Sequence, residues 1–405
     1  MTVALALVAA ACGSSSKPAA STGTTLPPPT GTPIKIGWIG TLTSATVSGP
    51  NESKDTMDTW VKWTNSHGGL NGHPVQVVAY ADDKADPAVG LAAIHDMVDN
   101  QHVVALVGTQ GGNTQQTWAP YVLSKRIPVI GAALIDATWF TNAMFYPSGG
   151  SVVTNIWGQM KSAAVNGNKK VAVVLCTENP ACAQAQPLFT KNATDVGMQM
   201  VYNALASQTQ VSYTAECLAA KNAGATAIAN YTNSVVMAKD CARQNYNPDW
   251  INAGGPNLSI IKQVPALGKT VGSAEQWNCW DQTIDLQTAK DLRAAQQQYH
   301  PEWTPTGKNA DIALGGCGIW ASGVEFAKAI SNANVAPTAT VTNEDVIKGL
   351  SMFNKETLGG IVPPLTFSDG SKPNPQVTCA FLYKWDNLKM VSVKGPDGNL
   401  WTCNP

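Results

Sequence analysis

Val103-Val104-Ala105-Leu106-Val107, followed by Gly108-Thr109-Gln110-Gly111-Gly112-Asn113-Thr114, is the stretch from which the fold can be read. Five apolar residues without polar alternation describe a strand buried on both faces, the signature of a parallel sheet. The Gly/Asn/Thr segment behind it is turn chemistry leading into a helix. Working back from it, Leu91, Ile94 and Val98 are spaced as a helical core stripe. Before that stand a strand at Val75 to Tyr80, a turn at Gly68-Gly69-Leu70-Asn71-Gly72, and a helix with Met57, Trp60, Val61 and Thr64 on one face. Ile34-Lys35-Ile36-Gly37-Trp38-Ile39 is a first strand. Working forward, another helix leads to a strand at Pro128 to Ile130.

The alternation then restarts. Strands are expected at Lys170 to Leu175, Met198 to Tyr202, Ala225 to Asn230 and Trp250 to Asn252. Helices are expected between them at about Ala183 to Val196, Tyr213 to Asn222 and Val235 to Gln244. Strand–helix alternation of this kind gives a doubly wound parallel sheet, here twice, in an α/β protein. The last third differs, with helices at about Leu286 to Tyr299 and Ala310 to Ser331. A third begins at Asn343-Glu344-Asp345 behind the capping residue Thr342. Pro364 to Thr402 is expected as strands and turns.

The 405 residues suffice for two or three domains, and 44% are hydrophobic, so a sizeable core can form. Only 13% are charged and the net charge is −1, which gives no electrostatic basis for binding nucleic acid or an anionic surface. Val3 to Ala11 is an apolar run too short to span a bilayer, ending in Ala9-Ala10-Ala11-Cys12-Gly13. Small residues closing such a run mark a secretory signal. The cysteine behind them resembles a bacterial lipobox, in which the thiol of Cys12 would receive a diacylglycerol group. Two features depart from that pattern. Ala9 stands where a leucine is usual, and the run lacks preceding basic residues, which puts the expected start upstream of Met1. Residues 13–32, rich in Ser, Thr, Gly, Ala and Pro, bury too little apolar surface to fold and form a tether. The expected location is the extracytoplasmic face of a bacterial membrane.

Setting Cys12 aside, eight of the nine cysteines remain: Cys176, Cys182, Cys217, Cys241, Cys279, Cys317, Cys379 and Cys403. None forms the CxxC spacing of a zinc or redox site. Behind an export signal, disulfides are the expected state, with buried free thiols as the alternative. The favoured pairs are Cys176–Cys182 and Cys379–Cys403, then Cys217–Cys241; other connectivities stay open.

Ile34-Lys35-Ile36-Gly37, Gly68-Gly69-Leu70-Asn71-Gly72, Asp82-Asp83-Lys84-Ala85-Asp86-Pro87 and Val104-Ala105-Leu106-Val107-Gly108 occur in a fixed order. Together they resemble the branched-chain amino acid-binding proteins of ABC transporters, the leucine-binding family with the type I periplasmic binding fold. The likeness runs from about Pro33 to Phe367. It implies two α/β lobes joined by three crossover strands, with residues 33–152 and 285–360 in one lobe and 153–284 and 361–405 in the other. It also implies a monomer that closes around a small-molecule ligand and presents it to a membrane permease, without cofactor or metal.

In open α/β sheets ligands bind at the carboxyl ends of the strands. The loops there are the candidate site. In the first lobe they are Thr41, Leu42, Thr43 and Ser44; Gln110, Gly111, Gly112, Asn113 and Thr114; and Ala133, Leu134, Ile135 and Asp136. In the second they are Glu178 and Asn179; Tyr231, Thr232 and Asn233; and Gly254 and Gly255, with Trp277 near a crossover. The loop from Thr109 to Thr114 offers close backbone approach and helix N–H donors to an anion, and the resemblance makes it the receiver of a ligand carboxylate. The family's amino-acid readers are incomplete. Leu134-Ile135-Asp136 replaces an Ala-x-Thr stretch, and Ala253-Gly254-Gly255-Pro256 stands where an acid would neutralise the ligand's ammonium. Asp136 or Glu178 is the available substitute. A buried ammonium without a partner is costly, so a plain branched-chain amino acid is not the expected ligand. Thirteen tryptophans against seven phenylalanines suggest an apolar or aromatic one, with Trp118, Trp139, Trp277 and Trp280 near cleft loops or the crossover; the alternative is that these rings are core.

No catalytic constellation is visible. Gly268-Lys269-Thr270 ends like a phosphate loop but has Gln263 in place of its first glycine, and His67, His73, His95, His102 and His300 are scattered. A secreted hydrolase assembled from distant residues and the sensing subunit of a signalling receptor are the alternatives to a transport protein.

Overall fold

The structure is a computed structural model and describes residues 27–43, 52–110, 114–132, 136–178, 180–253, 258–274, 276–281, 283–303, 316–386 and 388–404. Cys12 and the tether up to residue 26 lie outside them.

The first sheet contains β1 (Ile34–Gly40), β2 (Val75–Asp82), β3 (Ala105–Thr109), β4 (Val129–Ala132) and β5 (Phe145–Tyr146), all parallel in the order β2-β1-β3-β4-β5. Burial of β3 is complete, as its unbroken apolar run requires. Helix α1 (Glu52–Ser66) covers one face with Met57 and Trp60; α2 (Pro87–His95) covers the other with Ile94, capped by Asp86. Also on the second face are α3 (Gln115–Lys125) and the short α4 (Thr138–Thr141).

Helix α5 (Val152–Val165) carries the chain to a second sheet. Its parallel part is β6 (Lys170–Cys176), β7 (Gln199–Ala206), β8 (Ala227–Asn230), β9 (Asp249–Ala253) and β10 (Thr270–Ala274). Helices α5 and α6 (Pro180–Asp195) pack on one face; α7 (Thr214–Asn222), α8 (Ser234–Arg243) and α9 (Leu258–Gln263) pack on the other. The chain returns to the first sheet through α10 (Gln287–Tyr299), α11 (Cys317–Ala333) and α12 (Asn343–Ser351), the last capped by Thr342 as expected, with Asp345 completing a capping box. It ends on the second sheet with β11 (Cys379–Asp386), β12 (Lys389–Val393) and β13 (Trp401–Cys403), all antiparallel.

Several details depart from the sequence reading. The second sheet is mixed, because the tail adds antiparallel strands beside β10. Strand β10, Thr-Val-Gly-Ser-Ala, was not expected: it is short, and its glycine and serine dilute the apolar signal although every residue is buried. Helix α5 and strand β5 were also unforeseen, and within the described residues the helix expected from Ala310 begins at Cys317.

The chain crosses between the sheets three times: between β5 and α5, between β10 and α10, and ahead of β11. The crossings are fastened together. Asn278 N donates to Ile361 O at 2.8 Å, Asn374 Nδ2 to Phe145 O at 2.8 Å, and Thr154 Oγ1 to Val377 O at 2.9 Å. Four disulfides join Cys176–Cys182, Cys217–Cys241, Cys279–Cys317 and Cys379–Cys403. They include all three favoured pairs; the fourth ties the second crossing to the start of α11.

Candidate functional site

Each parallel sheet reverses its winding once, β1 against β3 in the first and β6 against β8 in the second. Crevices form at such switch points, at the carboxyl ends of the strands. In the first sheet Gly40 and Gln110 form an isolated bridge there, and Gln110 N donates to Ile39 O at 2.8 Å. In the second, Tyr231 N donates to Val174 O at 2.9 Å. Thr41, Leu42, Thr43, Gln110 and Thr114 are thus brought together on one lobe, and Glu178, Tyr231, Thr232 and Asn233 occupy the equivalent place on the other.

Two carboxylates that the sequence reading did not assign to the site organise its first half. Asp83 is fully buried; its Oδ1 accepts from Thr41 Oγ1 at 2.6 Å and from Ala85 N at 2.9 Å, and its Oδ2 from Thr114 Oγ1 at 2.7 Å. Asp82 accepts from Leu42 N, Thr43 N, Lys84 N and the Thr43 hydroxyl. Partial desolvation works against ionisation of Asp82, but the Thr43 hydroxyl and the Lys84 and Leu42 amides outweigh it and hold its pKa at about 2. The available signal was a pair of acids closing β2 opposite a Thr-rich loop.

The two acids offered as partners for a ligand ammonium are engaged elsewhere. Asp136 is buried, and its carboxylate accepts from Gln116 Nε2 at 2.6 Å and Thr138 N at 2.7 Å, fixing the start of α4. Glu178 accepts from Ser207 Oγ and from Gln208 N, and these contacts lower its pKa. The Tyr231 hydroxyl bonds the Gln159 amide, while its ring meets Phe189 edge-on at 5.4 Å. Thr232 donates through N and Oγ1 to Asn230 Oδ1, and Asn233 caps α8 through Val236 N. Ser44, Gly111, Gly112, Asn113, Ala133, Leu134, Ile135, Asn179, Gly254 and Gly255 lie outside the described residues.

The tryptophans divide. Trp118 and Trp139 are fully buried against Phe145, and Trp280 is buried against Tyr383, so these three are core. Trp277 is half-buried at the second crossing and packs against the core clusters of both lobes. Among the described residues no group of His, Cys, Asp and Glu is placed to hold a metal ion, and no helix is long and apolar enough to cross a membrane.

Two doubly wound lobes, each with one switch point, and three fastened crossings define a two-lobed binding protein of the type I periplasmic fold. The chain belongs to the periplasmic binding protein family, whose model matches residues 33–389. It is accordingly a binding protein and not an enzyme. It is similar to a branched chain amino acid ABC transporter protein from Thermus thermophilus with bound valine (15% identity, TM-score 0.69, covering 90% of this chain and 97% of that one). It is also similar to a fatty acid ABC transporter substrate-binding protein from Thermomonospora curvata (14%, TM-score 0.66, 92% and 93%). A solute binding protein from R. palustris in complex with 4-hydroxybenzoate is a third (16%, TM-score 0.60, 92% and 97%). None of the curated proteins matches the sequence.

Proposed function

We propose that this protein captures an apolar or aromatic small molecule between its lobes and delivers it to an ABC importer. It does so from the extracytoplasmic face of the membrane, held there by a lipid on Cys12. The observation that carries the ligand class is the occupation of Asp136 and Glu178 by Gln116, Thr138, Ser207 and Gln208. An amino acid would bring an ammonium that has to compete with these donors for the carboxylate oxygens, and burying that charge unpaired is costly. The structural relatives include one protein with bound valine and one in complex with 4-hydroxybenzoate, so the fold accommodates both chemistries. Closure follows the two-state logic of such proteins: a ligand touching both lobes favours the closed form by its differential affinity.

The test is a thermal-shift series on the purified protein with benzoate, 4-hydroxybenzoate, octanoate, leucine and valine. Native mass spectrometry of the untreated protein would identify any retained ligand. Stabilisation by the aromatic or acyl compounds supports the reading; stabilisation by leucine or valine alone overturns it. Cys12→Ala expressed in cells is expected to release the protein from the membrane fraction, and continued membrane retention overturns the anchor.

A further inference from the structure

The first two turns of α5 touch all three crossings. The first crossing enters the helix through Gly149 and Gly150. A Cβ on Gly150 would stand 2.7 Å from Cβ and Cγ2 of Thr154, so a larger residue there would have to displace Thr154. Thr154 Oγ1 donates to Val377 O, on the third crossing, at 2.9 Å. The side chain of Val377 lies in the core of the first lobe, whereas α5 packs on strands of the second, so this bond spans the lobes. Asn155 O accepts from Ser273 Oγ at 2.9 Å, on β10, the strand that runs into the second crossing. Thr154, Asn155 and Ser273 are all buried. One turn further along, the fully buried Gln159 donates through Nε2 to Asn155 Oδ1. Its amide also donates to the Tyr231 hydroxyl at 2.7 Å and accepts from it at 2.9 Å. Tyr231 belongs to the loop behind β8, at the second switch point.

We infer that Thr154 and Gln159 are positioning residues that make the opening turns of α5 the coupling element of lobe closure. Thr154 sets the lobe angle, and Gln159 ties that angle to the placement of Tyr231. An O–H···O bond holds only over about half an ångström, and a buried group that loses its partner keeps its desolvation cost. Turning one lobe against the other moves Thr154 relative to Val377, so their bond favours one lobe angle over the rest. The path from Tyr231 through Gln159 and Asn155 to Ser273 is a contiguous chain of hydrogen bonds, the physical form that coupling between distant segments requires. The inference rests on the reading of the protein as one that closes around its ligand, and it assigns the residues that carry the motion.

The test measures the distance between the lobes in the full chain with no ligand added, so it does not depend on which ligand the cleft takes. Nitroxides are attached at the positions of Leu123 on α3 and Leu218 on α7, both exposed and one in each lobe. Attachment through p-acetylphenylalanine leaves the disulfides intact, and pulsed electron spin resonance reads the distance distribution. Thr154→Val keeps the shape and removes the hydroxyl; it is expected to move or widen the distribution by more than about 2 Å, the scale of a lobe rearrangement. Thr154→Ser keeps the hydroxyl and is expected to restore the parent distribution. Gln159→Leu, which frees the Tyr231 hydroxyl, is expected to change the distribution as Thr154→Val does. If Thr154→Val fails to fold, Ser273→Ala removes the neighbouring bond to Asn155 and is read in the same way. A parental distribution in either the Thr154 or the Gln159 variant, whatever its melting temperature, overturns the inference and leaves the ligand reading standing. Failure of Thr154→Ser to restore the parent distribution overturns it as well.

Discussion

Thr114 Oγ1 donates a 2.7 Å hydrogen bond to Oδ2 of Asp83, and both residues are buried. Asp83 directly follows β2 and Thr114 directly precedes α3, and the other oxygen of the same carboxylate holds Thr41. One side chain thus fixes the loops after β1 and β3, the segments that border the first switch point. Asp83→Ala would leave two hydroxyls and the Ala85 amide without their acceptor. It is expected to destabilise the protein by about 2–3 kcal/mol, since buried groups lose their partner without regaining water. Urea unfolding measures this as a lower midpoint at unchanged slope; an unaltered midpoint would show that the carboxylate does not hold the loops.

Glu325 lies on α11 and is fully buried. Desolvation pushes its pKa well above the usual 4.5, against a smaller opposing influence from Ser148, on the first crossing. The folded chain therefore keeps a proton that the unfolded chain loses above 4.5, so stability falls as pH rises from 4.5 toward the raised value. Glu325→Gln removes that dependence. The variant is expected to match the parent near pH 4 and exceed it in melting temperature at pH 8. A pH profile parallel to that of the parent would contradict the assignment.

Gly318, in the first turn of α11, lies against the ring of Trp277, where an added Cβ would come within 2.7 Å of the indole. Trp277 touches the cores of both lobes, so displacing it reaches the crossings as well as the packing. Gly318→Val is expected to cost about 1–3 kcal/mol through overpacking. Small-angle scattering is expected to report altered lobe separation in the same variant. Unchanged stability and scattering together would mean that the ring yields freely.

Cys279 and Cys317 are 38 residues apart and join the second crossing to α11. Cross-linking a loop of this length stabilises by about 4 kcal/mol in the chain-entropy account. Replacing both cysteines with serine is expected to lower the unfolding free energy by about 3–4 kcal/mol. A loss under about 1 kcal/mol would mean that the reduced chain is already constrained there.

Much of the fold was legible because its signals are local. The unbroken apolar run ending in Val107 identifies a doubly buried strand, and Thr342 marks a helix start as its capping residue. Strand β10 was not legible, since Gly272 and Ser273 carry no strand signal and the burial of Ser273 comes from packing under α5. The loops bordering the site could be named from their position behind strands. Which of their side chains are already engaged could not, because Asp136 meets Gln116 and Glu178 meets Ser207 only after the chain has folded.

Two rounds of strand–helix alternation and cysteines suited to pairing could be read from the residues alone, because periodicity and turn chemistry act over a few residues. Only the packed structure shows that Asp82 and Asp83 hold the site loops, that Trp118, Trp139 and Trp280 are core while Trp277 bridges the lobes, and that Glu325 is fully buried. Those outcomes depend on which distant segments exclude water together, and that is settled only when both sheets are packed.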